Sequence, residues 1–145
     1  MTAAERQAQA LRALQRLAAA DPFVRLLGIR FVEGGPGHAT VAMTVGAQHL
    51  NFNDTCHGGA IFALADTAFG LASNSHGLVA AGIDAHITYQ AAAQRGDELT
   101  ATAREVSRSR KLAVYRIDVA RDDGTAISSF TGTVYVTTKH HEPAG

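Results

Sequence analysis

Residues 57 to 70 read HGGAIFALADTAFG, and this stretch limits the folds open to the chain more than any other. Ile61, Phe62, Leu64, Phe69 and Leu71, with the alanines between them, leave little polar surface around a helix drawn through it. A helix that is apolar on every side has to be wrapped by other elements. The single carboxylate, Asp66, is therefore expected out of reach of solvent. Between Asp54 and Asp84 it is the only acidic residue, and that interval holds no Lys or Arg to pair with it. Removing a lone carboxylate from water costs on the order of several kcal/mol, so either another segment satisfies Asp66 or the group has chemical work to do.

The flanking sequence supplies the wrapping. Residues 29–32 and 38–45 alternate with a period of two, with Ala39, Val41, Met43 and Val45 on one face, joined across Gly34-Gly35-Pro36-Gly37. Four further stretches, about 79–91, 97–107, 112–121 and 126–137, have strand character and are bounded by turn residues. In the third of these, Ala113, Tyr115, Ile117 and Val119 alternate with Leu112, Val114, Arg116 and Asp118, which predicts one dry and one wet sheet face. The expectation is an α+β architecture, a curved antiparallel sheet around the central helix. Ahead of it, Leu11, Leu14 and Leu17 recur among arginines and predict an amphipathic helix over 3–19. Asp21-Pro22 starts a second short turn that ends at Gly28. The chain divides into a helical segment 1–27, a main domain 28–138 and a frayed tail 139–145.

At 145 residues this is one domain's worth of chain, and 13 basic side chains balance 13 acidic ones. Such a balance gives no reason to expect nucleic acid or an anionic membrane as a partner. Cys56 is the only cysteine, and the first twenty residues carry charges in place of an uninterrupted apolar run. Both features suit a reducing, cytoplasmic location.

Immediately before the helix stands Asn53-Asp54-Thr55-Cys56-His57-Gly58-Gly59, in which Asn, Asp or Thr can cap and two glycines let another group approach the backbone. A helix N-terminus with bare amides in such surroundings suits an anion or oxyanion. Asp66 read by itself has plainer alternatives, as the cap of a helix starting at Thr67 or as a core acid held by backbone donors. Distance narrows the functional version. Gly58 and Asp66 are eight residues apart, about 12 Å along one helix. An oxyanion donor and the acid acting on the same carbonyl must each lie within roughly 3 Å of their targets. One helix cannot provide both, whereas two antiparallel copies can, so a twofold dimer with sites across its interface is expected.

These residues resemble a known family, the hotdog-fold acyl-CoA thioesterases, and within it the PaaI-like phenylacetate-degradation group. The likeness is carried by Asn51, by CHGGAIFALADTAFGLASNSHG at 56–77, by ITYQ at 87–90 and by GDELTATA at 96–103. It implies a hotdog fold, dimers that pair again into homotetramers, and hydrolysis of an acyl-CoA thioester, with coenzyme A part of the substrate and no other cofactor. Asp66 would be the catalytic carboxylate, as general base or nucleophile. Gly58 of the partner protomer would polarise the carbonyl through its N–H, with Asn51 and His57 positioning thioester or water and Gly59 and Thr67 lining the substrate. The serine that some relatives use to orient the acid falls on Gly82, leaving Thr67 or Ser75 as substitutes. An asparagine of a close relative's first short helix falls on Ala20.

Arg108, Arg110 and Lys111 cluster at a turn and are candidates for the CoA phosphates, with Arg95 a weaker one and a solvated basic hairpin the alternative. Cys56 reads as a small buried side chain, since sequence neighbours such as His57 rarely face each other. The seven histidines show no zinc spacing, so no metal is expected. A non-hydrolytic acyl-CoA-binding module on the same scaffold is the rival from another class. A hotdog dehydratase or hydratase is a third reading, and no second acid accompanies His57 to support it.

Overall fold

The computed structural model describes residues 1–142. Helix α1 spans Ala3–Ala19, α2 spans Pro22–Leu27 and α3 spans Gly58–Ser73. The strands are β1 (Arg30–Gly35), β2 (His38–Thr44), β3 (Leu78–Tyr89), β4 (Glu98–Arg108), β5 (Leu112–Arg121) and β6 (Ala126–His140). All pairings are antiparallel, in the order β1-β2-β4-β5-β6-β3. The curved sheet packs against α3, the hotdog arrangement that the resemblance implied. No helix among the described residues is long and apolar enough to cross a membrane.

Local chemistry accounts for the helical segment. Thr2 caps α1 by accepting from the Glu5 N–H, and Asp21 caps α2 by accepting from the Phe23 and Val24 N–H groups. Pro22 occupies a first-turn position, where its missing N–H costs nothing. Gly28 ends α2 in the left-handed region, at φ 70°. The buried line of α1 is Ala10, Leu14 and Ala18, one residue round from the expected Leu11-Leu14-Leu17 stripe. Small alanines let the helix lie close to the sheet, with Leu14 against Gly34, where an added Cβ would come within 2.6 Å of the leucine Cδ1.

The alternation read in β5 is the one observed, with Ala113, Tyr115, Ile117 and Val119 all buried. These side chains meet α3, where Phe69 stacks edge-on against Tyr115 and lies tilted against Phe130. Gly132 makes room for the Phe69 ring, since a Cβ there would fall 2.6 Å from its Cζ.

Three expectations need correction. First, α3 is not wrapped on every side. Ile61, Leu64, Ala65, Ala68, Phe69 and Ala72 are buried, yet Asp66 is exposed and Thr67 and Gly70 are half-buried. At the helical period, residues 59, 66, 70 and 74 share one face, which the sheet of the same chain does not reach. Second, the segment from Lys139 does not fray where expected. Strand β6 continues to His140, and the His141 N–H donates to the Gly77 carbonyl at 2.9 Å. The part of that tail at 143–145 lies outside the described residues. Third, the one dry and one wet face expected of the sheet do not hold for β2, which is buried on both faces from Ala39 to Met43, nor for β3, which is long and open. Its far edge has no neighbour among the described strands, and both faces are exposed along much of its length, including Ile83 at 60% and Tyr89 at 50%.

Candidate active site

The N-terminus of α3 is built by the loop before it. Asn51 Oδ1 accepts from the Asn53 N–H at 2.8 Å and the Thr55 N–H at 3.2 Å, while its Nδ2 donates to Thr55 Oγ1 at 3.0 Å. Its amide thus organises the turn in which Asp54 adopts φ 60°, a left-handed conformation that Asp tolerates better than most residues. The cap itself is His57, whose Nδ1 accepts from the Gly59 N–H at 2.8 Å. The Asn, Asp and Thr expected as caps serve the loop instead. His57 O takes the Ala60 and Ile61 N–H groups, and the Gly58 N–H finds no acceptor among the described residues. Gly58 therefore presents a bare amide at the positive end of a sixteen-residue helix.

Sequence reasoning missed the residue that anchors this helix start through the Gly58 carbonyl. Tyr89, at the end of β3, donates its hydroxyl to the Gly58 carbonyl at 3.0 Å, and a Cβ at Gly58 would meet the tyrosine ring at 3.3 Å. Desolvation raises the Tyr89 pKa, so the group stays a donor. Its motif, ITYQ, was visible, but a contact across 31 residues was not. His49 was missed as well. It is buried, with Nδ1 accepting from the Gly46 N–H at 2.9 Å and Nε2 against the Leu27 carbonyl at 2.7 Å, and its own carbonyl takes the His57 N–H at 2.7 Å.

Asp66 lies two turns further along α3, on the open stripe. Its carboxylate is accessible in the single chain, while the atoms packed around it desolvate the group enough to raise its pKa. It opens into a recess of about 360 Å³ between α3 and the α1–α2 segment, shared with Thr67, Gly70, Phe23 and His141. Thr67 Oγ1 donates to the Ala63 carbonyl at 2.7 Å, which leaves the oxygen lone pairs for another donor. A larger recess of about 840 Å³ lies between α1 and the end of β6. It does not hold Asp66, and neither recess of the single chain takes in the Gly58 amide.

The other expected residues separate. Ser75 is buried and structural, donating to the Ala72 carbonyl at 2.6 Å and accepting from the Gly37 N–H at 2.7 Å, so it is not the substitute for a serine at position 82. At Gly82 an added Cβ would come within 3.1 Å of the Phe69 ring. Arg108 is taken up in an internal network. Its Nη1 lies 3.6 Å from Glu105 Oε1, the oxygen that also accepts from the Tyr115 hydroxyl at 2.8 Å and faces His76 Nε2 at 2.9 Å. Arg110 and Lys111 stay exposed at the β4–β5 turn, and Arg95 is exposed as well. Cys56 is buried, its thiol pushed up to about 11 by burial and by the nearby Asp97 charge, which makes it a poor nucleophile.

Within one chain, then, Asn51, His57, Gly58 and Gly59 form one group, Asp66 and Thr67 a second, and the basic turn a third. Gly58 of the first and Asp66 of the second lie on one helix, about 12 Å apart at a rise of 1.5 Å per residue.

A family model described as the thioesterase superfamily matches residues 53–128, which include His57, Gly58, Gly59, Asp66 and Thr67. The acyl-coenzyme A thioesterase PaaI of Escherichia coli K12 is 39% identical over 112 residues, 77% of this chain and 80% of that protein. The solved structure of E. coli PaaI superposes with a TM-score of 0.90 at 33% identity, covering 93% of this chain and 98% of that one. A mutant of the phenylacetic acid degradation protein PaaI of Thermus thermophilus matches at 42% identity and TM-score 0.77, covering 79% and 98%. A Streptococcus mutans UA159 protein solved bound to acetyl CoA matches at 31% identity and TM-score 0.75, covering 78% and 91%. With the hotdog sheet, the helix it wraps and the family's sequence pattern coinciding over the same residues, the chain belongs to the thioesterase superfamily.

Proposed function

We propose that this protein is an acyl-CoA thioesterase that hydrolyses an arylacetyl-CoA, or another acyl-CoA of similar size, to the free acid and CoA. The observation that carries the reading is the pairing on α3 of an accessible carboxylate of raised pKa with a bare amide at the helix N-terminus. The E. coli relative's name and the acetyl CoA bound to the S. mutans structure support the substrate class.

In a twofold dimer the Gly58 N–H of one protomer faces the thioester carbonyl held beside Asp66 of the other. The amide stabilises the negative charge that develops on the carbonyl oxygen. Asp66 then takes a proton from water as the water oxygen bonds to the carbonyl carbon, and the proton passes to the CoA sulfur as the C–S bond breaks. In the nucleophilic version the Asp66 oxygen attacks the carbonyl carbon first, the C–S bond breaks to release CoA as its thiolate, and water then opens the resulting anhydride to free acid and Asp66 carboxylate. Single turnover in heavy-oxygen water distinguishes the two, by label in the protein or only in the free acid. Asn51 and His57 shape the amide turn, Gly59 and Thr67 border the substrate, and Arg110 and Lys111 offer cations to the CoA phosphates. The reaction requires neither metal nor redox cofactor.

The open edge of β3 and the uncovered stripe of α3 support the dimer, since an unpaired strand edge invites pairing with another copy. Further pairing into a homotetramer follows from the family resemblance. The test is Asp66→Asn in a thiol-trapping assay of CoA release. Loss of at least about 100-fold in kcat with a folded dimer is expected, and undiminished turnover would sink the reading.

A further inference from the structure

We propose that the recess beside Asp66 is an acyl-length gauge, floored by Gly70 and closed by His141. This rests on the thioesterase reading and adds to it the residues that decide which acyl groups fit.

The recess begins at Asp66 and follows the open face of α3 through Gly70 to Asn74. Eight residues of helix give it a run of about 12 Å, which a medium-length acyl chain fills and an acetyl group does not. Leu17, Ala18, Phe23 and Val24 of the N-terminal segment form the opposite wall, together with Asp21, whose carboxylate is engaged by the Phe23 and Val24 N–H groups. The floor is smooth at its midpoint, because Gly70 bears no side chain and a Cβ built there meets nothing within 4 Å. A side chain at that position would therefore project into free space in the recess without pressing on the fold.

The far end is fixed and polar. Asn74 donates to the Gly70 carbonyl at 2.8 Å and the Ala80 carbonyl at 3.1 Å, and its Oδ1 accepts from the Ala80 N–H at 2.9 Å. The same oxygen faces His141 Nε2 at 2.7 Å, and the His141 N–H is tied to the Gly77 carbonyl. Held at both ring and backbone, His141 is a stop across the recess. Asn74 is committed to the α3–β3 junction, which leaves His141 as the residue that can be trimmed without dismantling the helix end.

The experiment compares kcat/KM over a series of acetyl-, butanoyl-, hexanoyl-, octanoyl-, decanoyl- and dodecanoyl-CoA for the wild type, Gly70→Leu and His141→Ala. Each methylene in an apolar pocket is worth roughly tenfold or more in discrimination. Gly70→Leu is expected to lower the octanoyl-to-butanoyl ratio at least about tenfold, and His141→Ala to raise the decanoyl-to-hexanoyl ratio by a similar factor. Loosening of the fold alone would lower every length together and leave the ratios in place. A wild-type length profile in His141→Ala overturns the gauge, whatever Gly70→Leu does. Asp66→Asn run on the same series keeps the two readings apart. Retained turnover there defeats the thioesterase site, whereas its loss together with an unmoved His141→Ala profile defeats only the gauge.

Discussion

The Tyr89 hydroxyl donates to the Gly58 carbonyl across 3.0 Å, joining the last residue of β3 to the first residue of α3. The carbonyl and the bare N–H of this residue belong to adjoining peptide planes that share the Gly58 Cα, so the hydrogen bond anchors the backbone one atom from the N–H. Tyr89 is thereby a positioning residue for the proposed oxyanion donor. Tyr89→Phe keeps the ring against Gly58 and removes only the hydrogen bond, worth about 1 kcal/mol. The expected result is a roughly fivefold fall in kcat with KM nearly unchanged. Steady-state kinetics beside a thermal melt checks it, because a purely structural role would move the melt and leave kcat alone.

The pH dependence of Asp66 has two faces. Desolvation raises its pKa in the fold, so the acid limb of kcat/KM should lie above the ordinary carboxylate value of 3.8. For stability, a carboxyl with a raised folded pKa is favoured while protonated, and that advantage is lost as pH rises from the unfolded value through the folded one. At pH 7 the charged Asp66 is thus a net burden on the fold. Asp66→Asn should melt at a temperature equal to or above that of the wild type at pH 7, with the difference gone near pH 3. A variant less stable at pH 7 would contradict the desolvation.

Glu105 should behave in the opposite sense. Burial works against its ionisation, yet hydrogen bonds from Tyr115 and His76, with the charges of His76 and Arg108, hold its pKa below the usual value. Its stabilising contribution is present above the unfolded pKa and is lost as pH falls through the folded one. Glu105→Ala strips the Tyr115 hydroxyl of its partner and should destabilise the fold by about 2 kcal/mol in denaturant titration at pH 7.

The same network divides the basic turn. Arg108→Gln should lower stability through Glu105, whereas Arg110→Gln and Lys111→Gln should raise KM for acyl-CoA severalfold and weaken its salt dependence. Kinetics at two ionic strengths separates the pair from Arg108.

What could be read from the chain was whatever obeys a local rule. The α1 and α2 boundaries follow from Asp21-Pro22 and Gly28, and the inward face of β5 follows from a period of two, whereas β2 is buried on both faces from Ala39 to Met43. The motif around Asp66 and Gly58 was legible because its oddity, an unpaired acid in an apolar helix, is itself a sequence property. The pairing of β3 with β6 joins segments some fifty residues apart, and with it come the open edge and the Tyr89 contact. His141 reads as tail because a polar terminus has no local signal for docking, and only Gly77 and Asn74, brought near by the end of α3, give it a place. Arg108 looks free for a phosphate because Glu105 and Tyr115 face it only after β4 and β5 pair across a bulge.

The central claim is that one protomer's Asp66 works with its partner's Gly58 N–H. Gly58→Pro removes that N–H at a first helical position that suits proline, His57 already has the extended backbone (φ −59°, ψ 134°) that precedes a proline, and the Tyr89 ring, 3.3 Å from the added Cβ, has to shift by a few tenths of an ångström. Asp66→Asn and Gly58→Pro proteins, each inactive alone, are unfolded together, refolded as mixed dimers and assayed for CoA release. Half of the dimers then carry both variants, and each of these holds one intact site, so the mixture should recover about a quarter of wild-type activity. A mixture no more active than its separate parts would contradict a site shared between two copies of the chain.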